Sequence, residues 1–107
     1  MRLAASLCLL AAPALAGPLD GRYGADPAEC GNDLYDGRIT VVGSTISFYE
    51  SRCDLLNPIP VRGIEGATLF DMECRGEGEA WSRRVLLANG GLARLEKGAV
   101  SLYARCP

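Results

Sequence analysis

Four widely spaced cysteines in a short chain constrain the possible fold more than any other feature of this sequence. They are Cys30, Cys53, Cys74 and Cys106, and successive members are separated by 23, 21 and 32 positions in a chain of 107 residues; the fifth cysteine, Cys8, lies in the predicted signal peptide described below. Structural zinc sites use close pairs of ligands and redox motifs use nearly adjacent cysteines, so this spacing argues against both. Because so small a domain buries little core, the pattern predicts two structural disulfides and an oxidising compartment.

Four cysteines can pair in three ways, and their spacing alone does not choose among them. The period-two pattern of the strand candidates favours Cys30 with Cys53 and Cys74 with Cys106, because Cys74 and Cys106 each end an apolar face. Each crosslink would close a loop of a few tens of residues and contribute on the order of 3 to 4 kcal/mol. The other members of those two faces are Phe70, Met72, Val100, Leu102 and Ala104.

The first 16 residues have the order of a secretory signal peptide. Arg2 supplies a positive charge, residues 3–12 are mostly apolar, and Ala14 and Ala16 occupy the cleavage positions. We therefore expect the mature chain to begin at Gly17 as one domain over residues 17–107. It would be exported to the periplasm or the extracellular space, with no membrane attachment after cleavage.

Charge and composition exclude several classes of function. Residues 17–107 carry 10 basic and 13 acidic side chains, a net charge of −3, which does not suit nucleic acid as a partner. The chain has no histidine, which removes every mechanism based on imidazole. Lys97 is the only lysine and has no serine in a Ser-x-x-Lys arrangement. We predict no catalytic residue, no metal site and no cofactor.

One short helix and a series of strands are predicted along the chain. Asp26, Pro27 and Glu29 form a capping pattern, which predicts one or two helical turns that include Cys30. The strand candidates, each bounded by glycine or proline, are residues 38–42, 45–50, 61–64, 68–75, 80–87, 92–95 and 99–105. Residues 57–60, Asn-Pro-Ile-Pro, predict an extended linker that cannot lie inside a central strand.

Even spacing and local turns predict an all-β fold. Asn89-Gly90 is typical of a tight hairpin whose two central residues have positive φ. With no helical crossover between strands, we expect an antiparallel meander, closed as a barrel or folded as a sandwich. Further candidates for the core are Ile39, Val41, Ile46, Phe48, Leu86 and Leu95.

The stretch Gly-Glu-Gly-Glu at residues 76–79, followed by Trp81, is the candidate binding site. Glu77, Glu79 and Trp81 could bind a cationic or sugar ligand, or perform acid and base chemistry on a glycoside. The ordinary interpretation is a glycine hinge with solvated acids and a tryptophan at the edge of the core. Nearby, Arg83 and Arg84 point to opposite faces of a strand, and a cross-strand pair with Glu73 or Asp71 is expected. The acids at residues 33–36 have the wrong spacing for a calcium loop and predict a plain turn.

Several short motifs resemble short exported bacterial proteins of unassigned function that contain disulfides and β structure. The motifs are Gly-Arg-Tyr at residues 21–23, a first cysteine at residue 30, a strand ending at Cys53, Glu-Cys-Arg-Gly-Glu-Gly at 73–78 and the terminal Leu-Tyr-Ala-Arg-Cys. More distantly, size, export and a stapling disulfide resemble the small periplasmic β-barrel inhibitors of lysozyme. That second resemblance assigns no residue of this chain to the inhibitors' active-site loop.

Three functions are compatible with these observations. The first is an exported, non-catalytic binding module for a protein or small ligand. The second is an inhibitor of a basic hydrolase such as lysozyme, which the acidic charge and the predicted export favour. The third is a carbohydrate-binding or carbohydrate-active protein that uses Glu77, Glu79 and Trp81.

Overall fold

A computed structural model describes residues 17–107, and the predicted signal peptide at residues 1–16 lies outside the described residues. Eight antiparallel strands pair in chain order and close into a barrel, which confirms the all-β prediction and selects the barrel over the sandwich. The strands are β1 (Gly21–Gly24), β2 (Ile39–Val42), β3 (Thr45–Phe48), β4 (Ser51–Pro60), β5 (Thr68–Gly76), β6 (Glu79–Ala88), β7 (Gly91–Glu96) and β8 (Ala99–Arg105). Within residues 17–107 no helix is long and apolar enough to cross a membrane.

The predicted helix is a single 3₁₀ turn, Pro27–Glu29, between β1 and β2. The Asp26 side chain accepts a hydrogen bond from the Ala28 amide at 3.0 Å, as the capping pattern predicts. Cys30 follows the turn as its C-terminal cap. The Gly-Asn pair directly after Cys30 explains why no second turn forms.

Two predictions at the Asn-Pro-Ile-Pro segment were wrong, namely a linker over residues 57–60 and a strand over residues 61–64. β4 continues through the segment to Pro60, because the pairing of β4 with β5 shifts register between Leu56 and Ile59. The resulting bulge takes up Asn57 and Pro58, which is a position where a sheet tolerates proline. Residues 61–64 form a turn instead of a strand, since the amide of Ile64 bonds back to the carbonyl of Val61.

The hairpin at Asn89–Gly90 is present, with Ala88 and Gly91 paired on either side of it. Neither Asn89 nor Gly90 has the positive φ that the dipeptide predicted. Pairs of positive φ occur instead in the turns Glu77–Gly78 and Lys97–Gly98.

The disulfides join Cys30 to Cys106 and Cys53 to Cys74, so the preferred pairing was wrong. Cys53 and Cys74 lie directly opposite each other on β4 and β5, with their Cα atoms 4.0 Å apart and both side chains buried in the barrel. Cys106 follows β8 and reaches the 3₁₀ turn, because its amide bonds to the Arg22 carbonyl of β1. Two disulfides are present as predicted, but Cys53 pairs with the cysteine opposite it in the β4–β5 ladder, which leaves Cys30 to pair with Cys106.

The facing of the C-terminal half was also assigned wrongly. Val100 and Leu102 of β8 are 59% and 71% exposed on the outer surface, while Tyr103 packs against the core. Leu86 and Leu95 belong to the same outer surface and are only half-buried. Most of the other predicted core residues are confirmed: the buried ones are Ile39, Val41, Ile46 and Met72, and Phe48 and Phe70 pack against them.

One end of the barrel is closed by the segment that precedes β1. Leu19 packs against the core, and its carbonyl accepts a hydrogen bond from the buried Tyr23 hydroxyl at 2.6 Å. Burial raises the pKa of this Tyr23 phenol. The Arg105 guanidinium lies over the Tyr23 ring and donates to the carbonyl groups of Pro18, Asp20 and Asn89.

Candidate functional site at the open end of the barrel

Three hairpin turns gather at the end of the barrel opposite Leu19. They are Tyr49–Glu50 between β3 and β4, Glu77–Gly78 between β5 and β6, and Lys97–Gly98 between β7 and β8. In an antiparallel meander every second turn lies at the same end, so the topology alone brings these three together. We call this the open end of the barrel.

At the open end the barrel splits between β6 and β7. Their pairing ends at Arg84 and Leu95, whereas β6 continues to pair with β5 as far as Glu79. The β5–β6 and β7–β8 hairpins therefore separate beyond that point. Arg83 and Glu96, the first residues past the split, form an ion pair at 3.0 Å that spans the gap.

The barrel interior at this end contains a cavity of about 170 Å³, here called the inner cavity. Its deepest lining is the Cys53–Cys74 disulfide and Met72, all of them buried. The rings of Phe48 and Trp81 form its sides and pack against the core below. The inner cavity is therefore apolar at its base and aromatic along its walls.

The mouth of the inner cavity is polar. Ser51, Arg83, Arg94 and Glu96 complete its lining. Because Arg83 neutralises Glu96, the lining carries one uncompensated positive charge, on Arg94. Ser51 and Arg94 also line an adjoining space of about 200 Å³ together with Asp36, on the side of the segment that precedes β2.

The Arg94 guanidinium is held between two aromatic rings. Its central carbon lies 5.4 Å from the centre of the Phe48 ring and 5.8 Å from the centre of the Tyr103 ring. Such cation–π contacts use the face of the guanidinium, so the N–H groups at its edge can still donate to an acceptor. Within residues 17–107 these N–H groups donate no hydrogen bond, and no carboxylate lies within ion-pair distance.

A wider groove of about 610 Å³ lies on the outside of the split. Arg83 and Glu96 line both this groove and the inner cavity, so their ion pair forms the partition between them. Among the groove's other charged residues, Arg84 and Asp71 form an ion pair at 3.1 Å, whereas Glu73 and Lys97 belong to no ion pair within residues 17–107. The pair of Arg84 with Asp71 confirms the predicted cross-strand pair of the Arg-Arg dipeptide and selects Asp71 over Glu73 as the partner.

Negative charge collects at the tips of two hairpins. The pKa of the Glu77 carboxyl is raised, first because it shares a hydrogen bond with the Glu50 carboxyl and then because of the charge on Glu50. Glu50 is also the largest cause of a raised pKa at the exposed Tyr49 hydroxyl, with Asp36 the next contributor. Glu50 and Glu77 are therefore close neighbours on the rim of the open end.

The candidate residues from the sequence are only partly brought together. Trp81 faces the inner cavity, whereas Glu77 lies in the exposed turn with φ of 51° and Glu79 is an exposed residue at the start of β6. Neither glutamate lines the inner cavity, so the three do not form one pocket. Cleavage of a glycoside needs two carboxyl groups facing each other across a cleft, and the nearest neighbour of Glu77 is instead Glu50 on another hairpin.

Residues 33–36, whose acids have the wrong spacing for a calcium loop, form an ordinary turn. Asp33 forms ion pairs with Arg22 at 3.4 Å and with Arg38 at 3.7 Å. In the described part of the chain no three His, Cys, Asp or Glu side chains are grouped as metal ligands.

Arg94 and Tyr103 were not among the sequence candidates. β7 carries Leu92, Arg94 and Glu96 on one face and Ala93 and Leu95 on the other, so hydropathy favours the wrong face as the interior. One signal could have found them. Leu92, Arg94 and Glu96 are two positions apart along β7, so they share one face of the strand. A charged residue on the same face as a buried leucine marks the position where the barrel interior becomes polar.

No family model, no curated protein and no solved structure matches this chain.

Proposed function

We propose that the protein is an exported, non-catalytic binding protein whose small ligand enters the open end of the barrel. The observation that carries this proposal is the inner cavity, where unfilled space, two aromatic walls and an arginine without an acceptor coincide. β-Barrels commonly hold ligands at their mouths, and binding sites typically combine apolar walls with a few polar groups. At about 170 Å³, the cavity is the size of one that accepts a benzene ring.

The chemistry of the lining favours binding over catalysis. Glu96 is the single carboxylate among the residues that line the inner cavity, and Arg83 holds it in an ion pair. Ser51 is the one hydroxyl group there, and the residues around it supply no base to activate it as a nucleophile. Rigid strands and a crosslinked base also suit a preformed site, since binding then orders little of the protein.

The sole tryptophan makes this proposal directly testable. Because Trp81 forms a wall of the inner cavity, a ligand that enters should change its fluorescence and shift the amide resonances of β3, β6 and β7. A library of small aromatic and aliphatic compounds would be titrated while both signals are recorded. Ligands whose shifts map instead to the outer surface around Val100 and Leu102 would contradict the proposal.

Export is a separate part of the proposal and has its own test. Two disulfides suit an oxidising compartment. Intact-mass measurement on protein recovered from the native host should give a chain that starts at Gly17 and lacks four free thiol hydrogens. A chain that starts at Met1, or one with free thiols, would contradict export.

A second candidate is an inhibitor of a basic hydrolase, and the charged rim favours it. Glu50 and Glu77 concentrate negative charge on two projecting turns beside the exposed Tyr49. A lysozyme turbidity assay with the purified protein tests this directly. Inhibition that disappears in a Glu50→Gln/Glu77→Gln variant would support it. Unchanged lysis would remove lysozyme as the target.

A further inference from the structure

We infer that the inner cavity binds a small organic anion, a carboxylate on a flat apolar body, and that Arg94 is the residue that recognises the carboxylate. This inference rests on the proposed function and specifies the ligand class of the same site. The apolar body would lie between Phe48 and Trp81 above the disulfide. The carboxylate would then lie at the mouth, where Arg94 presents its free edge.

The state of Arg94 differs from that of the other arginines in the described chain. Those with half-buried side chains all have acceptors: Arg38 donates to the Asp33 carbonyl at 2.7 Å, Arg83 pairs with Glu96, and Arg105 donates to three carbonyl groups. Arg52 is exposed, so water can satisfy its guanidinium. Arg94 is half-buried without an acceptor among residues 17–107, so its N–H groups are available to a ligand at the mouth of the inner cavity.

The geometry around Arg94 suits a carboxylate better than other acceptors. Phe48 and Tyr103 contact the guanidinium through cation–π interactions, and its planar fork of N–H donors matches the two oxygen atoms of a carboxylate. Phe48 contacts Arg94 and also lines the inner cavity. It therefore connects the aromatic wall of the cavity with the N–H donors of the Arg94 guanidinium. A ligand with both parts would use both surfaces at once.

Two carboxylates near the mouth could in principle compete for Arg94. Glu96 is occupied by Arg83 at 3.0 Å. Asp36 lines the adjoining space with Arg94 but lies beyond ion-pair distance from it. Access of an anion would therefore be opposed only by the more distant charges of Asp36 and the rim, which salt screens.

Benzoate is a suitable probe, with benzamide as its neutral counterpart and benzylamine as its cationic counterpart. Each would be titrated into the purified protein while Trp81 fluorescence and amide resonances are recorded. We expect benzoate to bind with roughly tenfold or higher affinity than benzamide, because a charge-assisted bidentate pair replaces a neutral contact. Benzylamine should bind most weakly.

Substitution assigns the preference to one side chain. Arg94→Gln should lower benzoate affinity to that of benzamide and leave benzamide binding unchanged. Arg52→Gln, the same change at an exposed arginine, should alter neither. Arg94→Lys keeps the charge without the fork and should retain only part of the preference, which provides a second variant where Arg94→Gln does not fold.

The possible failures are distinguishable. Equal affinity for benzoate and benzamide in the inner cavity would overturn the inference and leave the proposed function standing. A benzoate preference that survives Arg94→Gln would overturn the assignment to Arg94. If none of the three probes perturbs Trp81, both the inference and the proposed function are contradicted.

Discussion

Removing the disulfide between Cys30 and Cys106 should destabilise the barrel chiefly by freeing its unfolded state. The crosslink spans 76 positions, and a loop of that length corresponds to about 4.5 kcal/mol in the chain-entropy treatment. Neither cysteine is deeply buried, so a Cys30→Ala/Cys106→Ala variant leaves little cavity and the loss is mainly this term. Against a total stability of about 5 to 15 kcal/mol for a domain, that is a large fraction.

The loss should also be local, because this crosslink lies beside the seam where the barrel closes. The ladder between β1 and β8 joins Tyr23 with Arg105 and Gly24 with Ala104, and one further bond runs from the Cys106 amide to the Arg22 carbonyl. So short a ladder depends on the crosslink to stay paired. The long β5–β6 hairpin has no such dependence.

Urea unfolding followed by Trp81 fluorescence measures the first effect, and native-state hydrogen exchange measures the second. We expect the free energy of unfolding to fall by about 4 to 5 kcal/mol and the amides of β1 to lose protection before those of β5 and β6. The matched control is Cys53→Ala/Cys74→Ala, which should leave exchange at the seam in its normal order. A loss below about 1 kcal/mol, or uniform exchange, would refute the reasoning.

Three further predictions follow from individual contacts. Glu77→Gln should stabilise the fold slightly at neutral pH and lose that advantage below pH 4.5, as urea midpoints measured across pH would show. The raised pKa of the Glu77 carboxyl means that its protonated form favours folding, and this contribution to stability disappears as pH rises through the pKa of Glu77 in the folded state. Gly91→Ala should destabilise the barrel by about 1 to 3 kcal/mol in urea unfolding, because a Cβ would collide with the Tyr103 carbonyl oxygen. Met72→Ala should cost about 2 to 5 kcal/mol in the same assay and enlarge the inner cavity, so that bulkier ligands bind it more tightly.

The sequence predicted the barrel's strands well where turns were marked by glycine and the apolar side chains were β-branched. β2, β3 and β5 to β8 fall where the alternation places them, and their hairpin turns follow directly. β1 was missed because it is four residues long and contains two glycines, so it carries almost no hydropathy signal. β4 was missed, because the strand candidates stop at residue 50 and resume at residue 61, and the bulge that accommodates Pro58 depends on pairing with β5.

The alternation of apolar and polar residues could not show which face of a strand lies in the barrel interior, or which cysteines pair. In β8 both faces are acceptable as an interior: Val100 and Leu102 are more apolar, but Tyr103 is larger and fills the barrel. The choice depends on the strands across the interior, which alternation within one strand does not report. The cysteine pairing inherited that error, because it assumed that Cys106 and the interior shared a side.

The three candidate residues from the sequence lie at the open end of the barrel, but they do not share one pocket. Trp81 lines the inner cavity, while Glu77 and Glu79 lie outside it. Arg94 and Tyr103 lie on the consecutive strands β7 and β8, but Phe48 lies on β3, so only closure of the barrel brings Phe48 to Arg94.

The position of a bound probe tests the central claim most directly. With benzoate present, nuclear Overhauser effects should connect its ring protons to the Met72 methyl group and to the Trp81 ring, both of which line the inner cavity. Contacts to the methyl groups of Val100 or Leu102, which are exposed on the outer surface, would contradict the assignment of the binding site to the barrel interior.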